Sequence, residues 1–318
     1  MGLTKSELDT MGQFVGEAIL EYRPHLKVST IKGYTQQMKK LLKKSGESGF
    51  EFLRDTEKVK ELVQDLAYTS QRNVYASCAT FLLAINIDGD LDSTIQTYEL
   101  WRDELNERYQ KEQDSGIISK KQEPNFITID ELHAFIKKLK RDVSFQERKH
   151  GDTNIRMIST IFQILVKYPL RNDLAGMVLV TASQEKKLSP EDKSQRNYLV
   201  KKGDNFTIVD NVYKTSKKYG ENRIPIEDDD LNKVLRSYIR VQKFKSGDII
   251  FPVTTNYLSQ LLLKYSQMYI QKNISTTMVR KIVTSDKFLD HKEEQEKHAK
   301  VLGHSVGVEN AIYIKKKE

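Results

Sequence analysis

Between positions 4 and 112, apolar residues recur at three- and four-residue intervals, the pattern of helices that each bury one face. Leu8, Met11, Phe14, Val15, Ile19 and Leu20 form the first such stripe, with Thr4 or Ser6 placed to cap its start and Pro24 to stop it. A second helix is expected from about Ser29, with Ile31, Tyr34, Met38, Leu41 and Leu42 on one face and Gly46 closing its C-terminus. Further helical segments are predicted near 54–67, 70–86 and 91–112. Short helices with short connections make a small bundle.

The periodicity breaks over KEQDSGIISKKQEPN, residues 111–125, a charged stretch with Gly, Ser and Pro that reads as an exposed linker. Beyond it the pattern is mixed. Thr128 and Glu131 have capping-box spacing, and helices are expected over 128–142 and 152–168, the second ended by Pro169. Three strand-like runs follow, Asn197–Lys202, Phe206–Lys214 and Asn222–Ile226. Gly203-Asp204 suits a hairpin turn between the first two, the Lys-rich TSKKYGE joins the second pair, and Pro225 suits an edge or terminal position. Helices are again expected near 229–243, 255–271, 275–288 and 291–303. The chain is therefore expected to be mainly α: a helical domain over 1–112, a linker over 113–125, and a mixed α+β domain over 126–318 with one small three-stranded antiparallel sheet.

Composition narrows the classes of function. At 38% hydrophobic and 30% charged, the chain has the balance of a soluble folded protein, and no apolar run approaches the roughly 20 residues that span a bilayer. The polar, amphipathic N-terminus does not read as a secretory signal, and the opening Met-Gly fits a myristoylation motif poorly. Cys78 is the only cysteine, so neither an intramolecular disulfide nor a Cys-based zinc site is expected, and the six His show no ligand spacing. These features predict an intracellular, metal-free protein that is not secreted. Lys and Arg number 52 against 44 Asp and Glu, which points towards polyanionic partners, nucleic acid before membrane surfaces.

The last forty residues carry the most specific pattern: Thr277-Met-Val-Arg280, then Leu302-Gly303-His304-Ser305, then Tyr313, nine positions after His304. This arrangement resembles the tyrosine recombinases (phage integrases), in which His-x-x-Arg is followed by Leu-Gly-His and, nine residues on, a nucleophilic tyrosine. Under that resemblance, YPLRNDLAGM supplies the first catalytic arginine as Arg171, with Asp173 near the position of a family carboxylate. DNVYKTSKKYGENRIPI is similar to the family hairpin, which makes Lys214 the catalytic lysine and Lys217 and Lys218 its less favoured substitutes. VSTIKGYTQQMKKLL resembles a helix of the core-binding domain. Residues 1–112 would then form one half of a clamp on DNA, with Lys39, Lys40, Lys43 and Lys44 touching phosphates.

The resemblance implies site-specific cleavage and rejoining of double-stranded DNA through a 3′-phosphotyrosyl intermediate. It also implies a homo-tetramer on synapsed DNA, a monomer or dimer when free, and no metal or cofactor. Charge that builds on the non-bridging oxygens of a phosphodiester is matched by the planar forks of Arg171 and Arg280. Tyr313 would attack phosphorus, Lys214 would protonate the departing 5′-oxygen, and His304 would hydrogen-bond a phosphoryl oxygen. Taken singly, an Arg or Lys in so basic a chain is an ordinary surface charge; the order and spacing of the set distinguish it.

Two departures stand out. Thr277 replaces the family histidine, and its hydroxyl can donate a hydrogen bond but is a poor base near neutral pH. Only Ile314-Lys-Lys-Lys-Glu318 follows Tyr313, where many relatives continue into a helix that docks on a neighbour. The competing readings are a type IB topoisomerase-like relaxing enzyme and a non-catalytic DNA-binding relative.

Overall fold

The computed structural model describes residues 3–301 and divides into two compact units, 1–118 and 119–318. The first unit is built from five helices: α1 (Lys5–Tyr22), α2 (Val28–Ser45), α3 (Thr56–Val63), α4 (Tyr68–Ile85) and α5 (Asp92–Asp114). Thr4 caps α1 in a reciprocal box with Glu7, and Pro24 stands two residues past its end. Gly46 ends α2 at φ 74°, a left-handed conformation that a side chain would strain. The apolar stripes converge on one core that includes Val15, Ile19, Met38, Leu42, Phe81 and Tyr98. Gly12 lets α1 and α2 approach closely, since a Cβ there would come within 2.6 Å of the Lys39 side chain.

The second unit opens with α6 (Ile129–His150), started by the Thr128–Glu131 capping box, and the strongly apolar α7 (Ile155–Lys167). Strand β1 (Val178–Thr181) follows, then two short helices, α8 (Ala182–Glu185) and α9 (Pro190–Gln195). The sheet continues with β2 (Tyr198–Lys202) and β3 (Asn205–Asp210), and after the four-residue α10 (Ser216–Tyr219) it ends with β4 (Asn222–Pro225). Three longer helices complete the described chain: α11 (Asp229–Gln242), α12 (Thr255–Ile270) and α13 (Thr276–Val301). No helix among the described residues is long and apolar enough to cross a membrane.

The sheet corrects the sequence-based expectation of three antiparallel strands. It has four, in the order β1-β2-β3-β4, with β1 parallel to β2 and the other two pairs antiparallel. A parallel pair needs a long crossover, which α8 and α9 supply. Val178 and Val180 bury on one face of β1 and Leu179 on the other, so the strand lacks the polar–apolar alternation that marks half-exposed strands. Residues 247–251 cover its free edge through Gly247 N–H to Leu179 O at 2.7 Å and Ile250 N–H to Met177 O at 2.9 Å.

Two further boundaries differ. β3 stops at Asp210 rather than running to Lys214, because residues 211–214 turn away from the ladder towards α10. The two helices expected over 275–288 and 291–303 are one element as far as Val301, since no Gly or Pro interrupts that stretch. The hairpin turn forms as anticipated: Lys202 pairs with Asn205, and Gly203 takes φ 59° at the first turn position.

Candidate functional site

Tyr168-Pro-Leu-Arg171 leaves α7 and enters a short 3-10 turn, Asn172–Leu174, with Arg171 as the residue before it. The Tyr168 hydroxyl accepts from Glu227 N–H at 3.0 Å and donates to Pro225 O at 3.3 Å, tying this exit to the end of β4. The Asn172 side chain then joins three elements. Its amide nitrogen donates to Ser259 Oγ at 2.6 Å and Thr255 O at 3.2 Å in α12, and its oxygen accepts from Thr276 Oγ1 at 2.9 Å. The Arg171 turn is thereby held against the first turn of α13, from which Thr277 and Arg280 project one turn apart.

Asp173 stands between the two arginines electrostatically. Burial raises its carboxyl above the ordinary carboxylate value, and Arg171 and Arg280 both oppose that rise. Arg171, Asp173 and Arg280 are each partly exposed, so the forks remain accessible from solvent, and Thr277 is exposed.

Asn197 links this cluster to the lysine segment. Buried at the start of β2, it donates from Nδ2 to Asp173 O at 2.9 Å and Val212 O at 3.1 Å. Its Oδ1 accepts from Asn211 N–H at 2.9 Å and Val212 N–H at 2.7 Å. The chain that leads to Lys214 is therefore fixed beside Asp173, although Lys214 lies in a turn four residues past the strand. Lys214 is exposed, as are Lys217 and Lys218 on α10.

Asp210, the last residue of β3, completes the group. Phe206 and Ile208 point into the main core, and Asp210 shares their face by the two-residue period of a strand. It is 2% exposed, and its Oδ1 has no hydrogen-bond partner among the described residues. Burial, reinforced by the negative Asp173, pushes its carboxyl up to about 6. Neither asparagine nor Asp210 was distinguished by the sequence. The one available signal was a carboxylate in register with core residues on an otherwise apolar strand, at a position where an outward side chain would be ordinary.

His304 and Tyr313 lie outside the described residues. In the first unit, the four lysines grouped on α2 separate. Lys40 and Lys43 are exposed and make no ion pair among the described residues, whereas Lys44 lies 4.0 Å from Asp65. Lys39 turns towards α1 and pairs with Asp9, so its charge is already met.

No protein-family model and no curated protein matches the chain. Among solved structures it is similar to one described as "Crystal structure of XerA recombinase", over 96% of this chain and 94% of that one, at 13% identity and a TM-score of 0.34.

Proposed function

We propose that the protein cleaves and rejoins double-stranded DNA as a site-specific recombinase of the tyrosine type. The observation that carries this reading is that the Arg171 turn is bonded to the first turn of α13, which bears Arg280 more than a hundred positions later in sequence, with the Lys214 segment tied to the same turn by Asn197. Two arginine forks around one point suit the two non-bridging oxygens of a phosphodiester. Asp173 lies within electrostatic reach of both guanidinium groups, so the site is polarised before the phosphate arrives.

In this scheme the Tyr313 oxygen attacks phosphorus and the bond to the 5′-oxygen breaks. The 3′-phosphate stays on the tyrosine, whose phenolic proton passes to solvent, and Lys214 delivers a proton to the departing 5′-oxygen, which leaves as a hydroxyl. The reverse sequence with a new 5′-hydroxyl rejoins the strand without an external energy source. His304 and Thr277 donate hydrogen bonds at the phosphate, Thr277 as a positioning group because its hydroxyl is a poor base. Lys40 and Lys43 contribute backbone contacts from α2.

The test is covalent trapping. Wild type and Tyr313→Phe are incubated with supercoiled and nicked substrates, stopped with SDS and examined for protein joined to a DNA 3′-end. An adduct with wild type only, at equal DNA affinity, is the expected result. Equal cleavage by Tyr313→Phe would remove the assigned nucleophile. DNA binding without an adduct on any substrate would favour a non-catalytic DNA-binding role.

A further inference from the structure

A second basic surface lies away from the arginine cluster. A groove of about 570 Å3 runs between α11 and the β2–β3 hairpin, lined by the cations Lys201, Lys233, Arg236, Arg240 and Lys243 and by no acidic residue. Its floor is apolar, formed by Phe206, Ile239 and Phe244. Phe206 and Asp210 are four residues apart on β3, which places the groove roughly 13 Å along the strand from the site's buried carboxyl.

The charge is ordered rather than scattered. Lys233, Arg236 and Arg240 recur at three- and four-residue intervals and so share one face of α11, with Lys243 just past its end lining the same groove, while Leu231, Leu235 and Tyr238 on the opposite face are buried. Lys233 pairs with Asp230 at 2.9 Å, and Arg236 is tethered to Asp204 in the hairpin. Lys201, Arg240 and Lys243 are exposed and make no ion pair among the described residues.

The helix is also fixed against the sheet. Buried Asn232 accepts from Phe206 N–H at 3.0 Å and donates to Ile226 O at 2.8 Å, so the cations stand on a rigid frame.

We propose that this groove binds the sugar-phosphate backbone of duplex DNA at a point separate from the Arg171–Arg280 site. The inference rests on the DNA-binding reading above and adds a second contact to it. The occupant is the sugar-phosphate backbone, because a row of five cations with no acidic residue matches a repeating anionic strand.

The test compares wild type with Lys201→Gln/Arg240→Gln/Lys243→Gln by fluorescence anisotropy on a long duplex across a salt series. Three lost phosphate contacts should make the log–log salt slope shallower by roughly 2 to 3 and weaken binding by at least about tenfold at low salt. Acetylation footprinting of wild type supplies a readout independent of the variant's folding, with Lys201 and Lys243 expected to be protected by duplex. Wild-type binding with an unchanged slope in a folded variant, or with no protection of these lysines, overturns the groove alone. Failure of wild type to bind any duplex overturns both the groove and the reading on which it rests.

Discussion

The two units bury polar groups very differently. Among the described residues, the first unit hides hydroxyls only, those of Ser77 and Thr80 on α4 and of the core tyrosines Tyr75 and Tyr98, and no side-chain amide or carboxylate. The second hides Asn197, Asp210 and Asn232 as well as Ser159, Thr160, Ser266 and Thr276. Burying an apolar side chain needs only shape and volume, whereas burying an amide or carboxyl requires a partner or carries a penalty of about 1–3 kcal/mol. A unit whose internal polar groups cross-link a helix exit, a strand start and a helix N-terminus is therefore specified at one place above others. That place is the Arg171 turn. The first unit has no comparable node, and its only candidate chemistry is surface charge on α2.

Three changes sharpen or break this contrast. The largest effect is expected from Asn197→Ala, which strands Asp173 O, Val212 O and two backbone N–H groups at once. A loss of about 2–4 kcal/mol in denaturant unfolding is expected, with faster amide exchange over residues 197–212 and unchanged exchange in α1–α5. A cost no larger than that of a surface substitution would show that the buried amide is not the tie between the Arg171 turn and the Lys214 segment.

Asp210→Asn should act next, and through pH. The Asp210 carboxyl titrates at about 6 in the fold, against roughly 3.9 in an unfolded chain. Between those values the folded protein holds a proton that the unfolded chain has released, so stability falls as pH rises from about 4 to 6. The full penalty, on the order of 3 kcal/mol, is present above that window and absent below it. Asparagine cannot ionise, so the variant should be more stable at neutral pH and its stability curve flatter between pH 4 and 6.5. Identical pH profiles for variant and wild type would mean that Asp210 is not held in an unfavourable state.

The smallest effect belongs to the first unit. Tyr98 is fully buried and its hydroxyl donates to Leu53 O at 2.8 Å. Tyr98→Phe removes one hydrogen bond while the ring still fills its space, which should cost about 1 kcal/mol by chemical denaturation and leave the second unit unaffected. A cost matching that of Asn197→Ala would erase the distinction between the two interiors.

Much of the framework is legible in the sequence. The capping boxes at Thr4 and Thr128, the stop at Pro24, the left-handed Gly46 and the Gly203-Asp204 hairpin are local devices. Each is set by residues within a few positions, so sequence neighbours suffice to read them. The apolar stripes of α1, α2 and α6 are likewise read from period alone. β1 was missed because a four-residue strand buried on both faces carries no alternation, and its parallel partner lies across two short helices. The break expected near residue 290 did not occur, since uneven apolar spacing ends a buried face without ending a helix.

The candidate site divides along the same line. Arg171, Asp173 and Arg280 are legible from type and order, because a phosphate-binding motif restricts which side chains serve and the spacing marks them. Asn172, Asn197 and Asp210 are not, because an asparagine or aspartate in isolation reads as a turn or surface residue. The amino-acid sequence by itself determined the helical periodicity, the caps and the basic balance, all of which arise from short-range geometry and composition. Only the tertiary structure decided that the Arg171 turn meets the start of α13, that Lys39 is met by Asp9, and that α11 turns an ordered row of cations towards a groove. Those outcomes depend on which distant segments meet, and that is set by the joint burial of whole helix and sheet faces rather than by any local pattern.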